Sequence, residues 1–134
     1  MSVVADTHAA IWYVDAPHEL SGAAVSALDA AANAIGEHII ISAITLVEMR
    51  YLVEKNRIKA SVLTRIEQEL DESDPIVVVV SLDRTISDSL TSIPRDIVPD
   101  MPDRIIAATA FSFGLPLVTR DRNIRTLANI TAIW

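Results

Sequence analysis

Four carboxylates, widely separated in the chain, stand out by position, two directly after short apolar runs and two early in helical segments. Asp6 follows Val3-Val4-Ala5, Glu48 lies in the segment after Ile39-Ile40-Ile41-Ser42, Asp103 closes Asp100-Met101-Pro102-Asp103, and Asp121 follows Leu117-Val118-Thr119-Arg120. Like charges brought together in a crevice repel one another and push their pKa values up. A divalent cation reverses the sign of that effect, and hard oxygen ligands select Mg²⁺, or Mn²⁺ in its place. Such a site suits phosphodiester hydrolysis: one ion lowers the pKa of a bound water to make a nucleophile, and another can stabilise the leaving oxygen. No Ser, Cys or His triad is needed, and none is evident. Ser42 and Thr119 sit at the same edge and are candidates for orienting a ligand water or a carboxylate, as hydroxyls beside metal ligands do. Arg104, Arg120 and Arg122, with Arg125 beside them, are candidates for holding phosphates.

Each member also has a plainer reading. Asp100 with Asp103 has the pattern of a helix N-cap with an acid three residues on, favoured by the helix dipole. Ser42 can cap the helix that follows it, Asp121 can be a turn residue, and Glu48 can pair with Arg50 or another neighbour. His8 reads as packed or solvated, and Trp12 and Trp134 as core or interface anchors rather than platforms for bases. The weight lies in the joint occurrence at strand ends.

Those positions acquire meaning from the elements around them. Val3 to Ala5 reads as a buried strand, followed by a short helix over residues 8 to 14. An Ala-rich amphipathic helix follows, Leu20 to Ile35, with Ser21 as its cap and Gly36 at its end. His38 to Ser42 is a second strand, whose three consecutive isoleucines suit burial on both faces. The helix of residues 43 to 55 carries Ile44, Val47, Tyr51 and Leu52 on one face, with Glu48 on that inward side, where a carboxylate is costly unless paired. Lys59 to Leu70 is the next helix, ending in a solvated acidic run before Pro75. Ile76 to Val80 is a third strand and Asp83 to Ile93 a helix. Pro94, Pro99 and Pro102 then fall in a span that excludes regular structure. A helix over Ile105 to Phe113, capped by Gly114, leads to a fourth strand, Leu117 to Thr119, and Thr126 to Trp134 can supply a fifth. Strands alternating with helices predict an α/β fold, with helices on both faces of a mainly parallel sheet of four or five strands. Parallel strands end at one edge, which is how Asp6, Glu48, Asp103 and Asp121 can meet.

A length of 134 residues matches one domain, 1–134, with no repeat, linker or low-complexity stretch to divide it. The absence of cysteine removes disulfides, zinc ribbons and thiol catalysis and fits a reducing compartment; the three histidines lack metal-ligand spacing. No apolar run reaches the length of a membrane helix and no signal-peptide pattern opens the chain, so a cytoplasmic protein with no membrane partner is expected. The net charge of −7 argues against a nucleic-acid binder on global sign alone. Distribution overrides that sign, because Arg50, Lys55, Arg57, Lys59 and Arg65 cluster and cations bound among the acids would offset part of the negative charge.

At these same residues the sequence resembles the PIN-domain family, specifically the VapC-type toxins of prokaryotic toxin-antitoxin pairs. The similarity runs through Val3-Val4-Ala5-Asp6-Thr7-His8 up to Trp12, then Ile41-Ser42 to Glu48, then Asp100-Met101-Pro102-Asp103-Arg104 to Ala110, then Leu117-Val118-Thr119-Arg120-Asp121. These blocks follow in the family's order and span the chain. The resemblance implies a three-layer PIN-like fold and a Mg²⁺- or Mn²⁺-dependent endoribonuclease. Its acidic site would be Asp6, Glu48, Asp103 and Asp121, all metal ligands, with Asp100 as an auxiliary member. It also implies an RNA substrate, a homodimer, and a cognate antitoxin whose tail covers the active site. Two departures stand out: Met101-Pro102 between the acids of the third block, and Arg122-Asn123-Ile124 after Asp121. Other readings are a non-catalytic PIN-like module that binds RNA or protein, and a PIN nuclease of RNA processing. A phosphotransfer receiver or Asp-x-Asp phosphatase is disfavoured, since position 8 is His8 and the only lysines are Lys55 and Lys59.

Overall fold

A computed structural model describes all 134 residues. Its centre is a five-stranded sheet formed by β1 (Val3–Ala5), β2 (Ile39–Ser42), β3 (Val77–Val80), β4 (Leu117–Val118) and β5 (Ala132–Ile133), ordered β3-β2-β1-β4-β5 with every neighbouring pair parallel. The apolar runs that form the middle strands are continuous because both sheet faces are covered. Val3, Ala5, Ile39 and Ile41 point into one core, whereas Val4, Ile40 and Leu117 point into the other. Helices α1 (Thr7–Asp15), α2 (Gly22–Asn33), α3 (Ala43–Glu54) and α4 (Ala60–Leu70) contribute to the first core through residues such as Ala9, Leu28, Met49 and Ile66. The second is filled by α5 (Arg84–Ser89), α6 (Met101–Phe113) and α7 (Arg122–Arg125), through Ile86, Ile106 and Ile124. The expected α/β/α layering is therefore present, with five strands.

Starting at β1, the chain winds outward through β2 to β3, then returns to the other side of β1 with β4 and β5. The strand order reverses between β1 and β4, the place where open α/β sheets form a crevice beyond their carboxyl ends. Register sets what meets there: Ala5 pairs with Val118, and the Asp6 amide donates to the Val118 carbonyl at 3.1 Å.

Local chemistry explains the boundaries. Ser21 accepts from the Ala24 amide and starts α2, and Gly114, at φ 62°, closes α6 in the left-handed conformation that glycine adopts freely. Helix α6 starts earlier than the proline count predicts, at Met101. Pro102 sits in its first turn, where a missing N–H costs nothing, and Asp100 is its N-cap. Asp83 to Ile93 is divided into α5 and a 3-10 turn over Leu90–Ser92, and Asp121, a candidate turn residue in the sequence, caps the four-residue α7.

The inward stripe of α3 also needs correcting. Thr45 and Met49 are buried, while Val47 and Tyr51 are 46% and 59% exposed. The helix is rotated so that a polar pair, Thr45 and Glu48, faces the sheet's end, which leaves apolar residues on the outer side. Strand β3, all valine, is an edge strand with Val79 41% exposed. No helix is long and apolar enough to cross a membrane.

Candidate active site

A cleft of about 390 Å³ opens beyond β1 and β4, bordered by Asp6, Glu48, Asp100, Asp103 and Asp121, with Arg120 as its one cation and Thr7, His8 and Trp12 completing it. The five acids come from four parts of the chain. Asp6 leaves β1, Glu48 lies on α3, Asp100 and Asp103 open α6, and Asp121 follows β4.

The capping role and the cleft-facing role belong to the same side chains. Asp6 Oδ1 accepts from the Ala9 amide at 2.8 Å and so caps α1, while its Oδ2 accepts from the Thr119 hydroxyl at 2.5 Å. Asp100 accepts from the Asp103 amide at 3.2 Å, and Asp121 from the Ile124 amide at 2.8 Å. Three helix N-termini thus turn toward one crevice, and their partial positive charge favours anions there.

Burial raises the pKa of Asp6, opposed by the Thr119 hydroxyl and the Ala9 amide. Burial likewise raises Glu48, opposed by the Thr7 hydroxyl and reinforced by Asp100 and Asp6. Asp103 is pushed up to about 7, first by burial and then by the charges of Asp100, Asp121, Glu48 and Asp6. A fold that places acids where their own charges are disfavoured stores a demand for positive charge at that point.

The donor set is entirely oxygen except for the rim imidazole of His8, and the chain has no thiolate to offer. That is the chemistry of a Mg²⁺ or Mn²⁺ site. No three acidic or histidine groups close on one point as a ready cage. An open ring of acids fits Mg²⁺ nonetheless, because this ion retains several waters and binds through one or two carboxylates plus substrate phosphate. The residues that could hold it are Asp6, Glu48, Asp103 and Asp121, with Asp100 at the margin.

The remaining expected residues separate. Thr119 is buried beneath the cleft; its hydroxyl also accepts from the Asp121 amide at 3.1 Å, so it ties two of the acids together. Ser42 does not reach a carboxylate: its hydroxyl accepts from the Ile44 amide at 3.2 Å and starts α3. The residue that holds Glu48 is instead Thr7, whose hydroxyl donates to Oε1 at 2.5 Å and lies 3.1 Å from the Thr45 hydroxyl. Neither threonine carries a pattern that marks it in the sequence, although Thr45, three residues before Glu48, shares its helical face. Glu48 does not pair with Arg50, which bonds Glu67. Arg104 is turned away from the cleft, with Nε donating to the Ile93 carbonyl at 2.7 Å and a terminal nitrogen to the Leu90 carbonyl at 2.9 Å. Its guanidinium is committed to backbone, which removes it as a phosphate contact. Arg122 is exposed outside the cleft lining, whereas Arg120 lies at the mouth with its guanidinium 4.7 Å from the Trp12 ring centre. His8 is exposed, its ring 5.4 Å from that of Trp12.

This sheet order with an acidic crevice at its switch point belongs to a defined class. The PIN domain family model matches residues 3–130, and the chain belongs to that family. It is 31% identical over 127 residues to Ribonuclease VapC22 of Mycobacterium tuberculosis, covering 93% of this chain and 91% of the relative. Among solved structures, it resembles VapBC2 from Rickettsia felis bound to a promoter DNA fragment, at 18% identity and a TM-score of 0.72, covering 98% of this chain and 97% of the other. A toxin-antitoxin complex from Klebsiella pneumoniae matches at 22% identity and a TM-score of 0.67, covering 97% and 96%.

Proposed function

We propose that this chain is a divalent-cation-dependent endoribonuclease, the toxin half of a type II toxin-antitoxin pair, with Asp6, Glu48, Asp103 and Asp121 as its acidic site. The observation that carries the reading is the convergence of five carboxylates from four parts of the chain on one cleft, with Asp103 raised to about 7. The likeness to Ribonuclease VapC22 supports RNA as the substrate, and fold neighbours held in toxin-antitoxin complexes support a cognate antitoxin.

The chemistry that a bound Mg²⁺ or Mn²⁺ supplies is Lewis acidity, activating water at neutral pH and neutralising charge on a phosphodiester. The protein's part is placement. Asp6 is held at both oxygens, by Ala9 and Thr119, so its carboxylate keeps one orientation. Thr7 holds Glu48 at one oxygen, its hydroxyl donating to Oε1. Asp103 enters from the first turn of α6, and Asp121 is locked as the cap of α7. Arg120, its guanidinium centre 4.7 Å from the Trp12 ring centre, is the cation available to a phosphate at the mouth.

We also propose a homodimer, supported by the uncovered apolar side of α3 at Val47 and Tyr51. The nuclease reading is tested by incubating purified protein, free of any antitoxin, with single-stranded RNA in Mg²⁺ or Mn²⁺. Internal cleavage that stops with chelator and returns with metal is the expected result. Binding of RNA with no cleavage under any divalent ion would make it a recognition module instead.

A further inference from the structure

Trp12 lines both the acidic cleft and a second groove of about 570 Å³, formed by α1 and the junction of α3 and α4. We propose that this groove binds the RNA nucleotides flanking the scissile phosphate: the strand leaves the cleft past Arg120, crosses Trp12 and runs along Arg57 and Lys59. The inference rests on the ribonuclease reading.

Charge favours this route. Inside the cleft one arginine faces five carboxylates, so flanking phosphates need positive charge elsewhere within the strand's reach. Arg50 is engaged with Glu67 and Arg104 with backbone carbonyls. Arg57 and Lys59 are exposed, line the neighbouring groove, and belong to no ion pair of the structure. The groove's acids are Asp15 and Glu19, the latter 3.7 Å from His18, so two cations answer two acids there. Repulsion is far weaker along that path than within the cleft.

The groove is also built rather than left over. Asn56 takes the left-handed conformation at φ 56°, its amide donates to the Val53 carbonyl at 3.0 Å, and the Arg57 amide donates to the Leu52 carbonyl at 2.8 Å. This closes α3 and fixes where Arg57 and Lys59 emerge. At the boundary, Trp12 is braced by Trp134, with ring centres 5.9 Å apart. The braced indole acts as the anchor expected from sequence: it carries the Arg120 guanidinium, 4.7 Å from its ring centre, at the boundary between cleft and groove, where that cation can meet a phosphate.

The test compares wild type with the double variant Arg57→Ala/Lys59→Ala on a fluorogenic dinucleotide and on a long single-stranded oligoribonucleotide, at several salt concentrations. The ratio of kcat/KM for the long substrate to that for the short one should fall about tenfold, through KM. The slope of log affinity against log salt should become shallower by about 1.4, at about 0.7 for each phosphate contact removed. Equal losses on both substrates, or no change in the ratio, would overturn the path. So would unchanged RNA kinetics with lost binding of the cognate partner protein, which assigns the groove to protein. If wild type cleaves neither substrate, the ribonuclease reading fails separately. The groove is then judged by fluorescence anisotropy of the same long oligonucleotide: weaker binding by the double variant supports it, and equal binding overturns it.

Discussion

Asp103 carries the clearest consequence of gathering acids without a counterion. Its pKa of about 7 in the fold lies above its ordinary value near 3.8, so between those values the folded state holds more protons than the unfolded chain. Stability from this group is complete below about pH 4 and is lost as pH rises through about 7. In chelator, wild type should therefore be less stable at pH 8 than at pH 5, by on the order of 1 kcal/mol after allowing for solvent screening of a half-exposed side chain. Asp103→Asn should flatten that slope and stabilise the metal-free protein at pH 8 while abolishing cleavage; urea melts at the two pH values check this. Thr7 offers a second residue-scale test. Thr7→Val removes the donor to Glu48, and activity should fall about 10- to 100-fold, as for other residues that orient a metal ligand, with RNA affinity kept. The acids themselves were legible in the sequence because Asp6 and Asp121 follow apolar strands, and Glu48 and Asp103 lie early in helices that bring them to the same edge. Thr7 was not, since a hydroxyl beside an acid has no pattern until the helix that carries Glu48 is rotated into place.

Among the elements, α6 does most to shape the cleft, since two of the five acids lie in or just before its first turn. Its approach is held by Arg104, which reaches back to the carbonyls of Leu90 and Ile93 and fastens the proline-rich connection to the helix. Arg104→Met should destabilise the fold by about 2 kcal/mol, the scale of losing hydrogen bonds from a charged donor. It should leave the salt dependence of RNA binding as it is, whereas a phosphate contact would make that dependence shallower; anisotropy titrations separate the two. Helix and strand identities were readable from periodicity and caps. The start of α6 was readable from the cap pattern of Asp100 with Asp103, which the structure bears out, although the helical range drawn from periodicity began only at Ile105, beyond Pro102. The outer face of α3 was misread: apolar spacing at Ile44, Val47, Tyr51 and Leu52 fits a buried stripe, yet the need to bring Thr45 and Glu48 to the sheet's end sets the rotation.

At the scale of the whole molecule, the parallel sheet converts separation along the chain into proximity, because every strand delivers its carboxyl end to one edge. The topology was foreseeable from alternating elements, whereas the position of the reversal between β1 and β4 requires the strand order itself. The uncovered Val47 and Tyr51 belong to this scale too. On the proposed homodimer, Tyr51→Glu should shift the protein toward monomer in sedimentation velocity at micromolar concentration, while its metal affinity stays that of wild type. The account stands chiefly on distant acids jointly gripping a divalent cation, and calorimetric titration of Mn²⁺ into wild type and Asp6→Asn reads that directly. Saturable binding by wild type, weakened at least about tenfold in the variant, is the predicted result. Identical isotherms for the two proteins, or no binding by either, would contradict it.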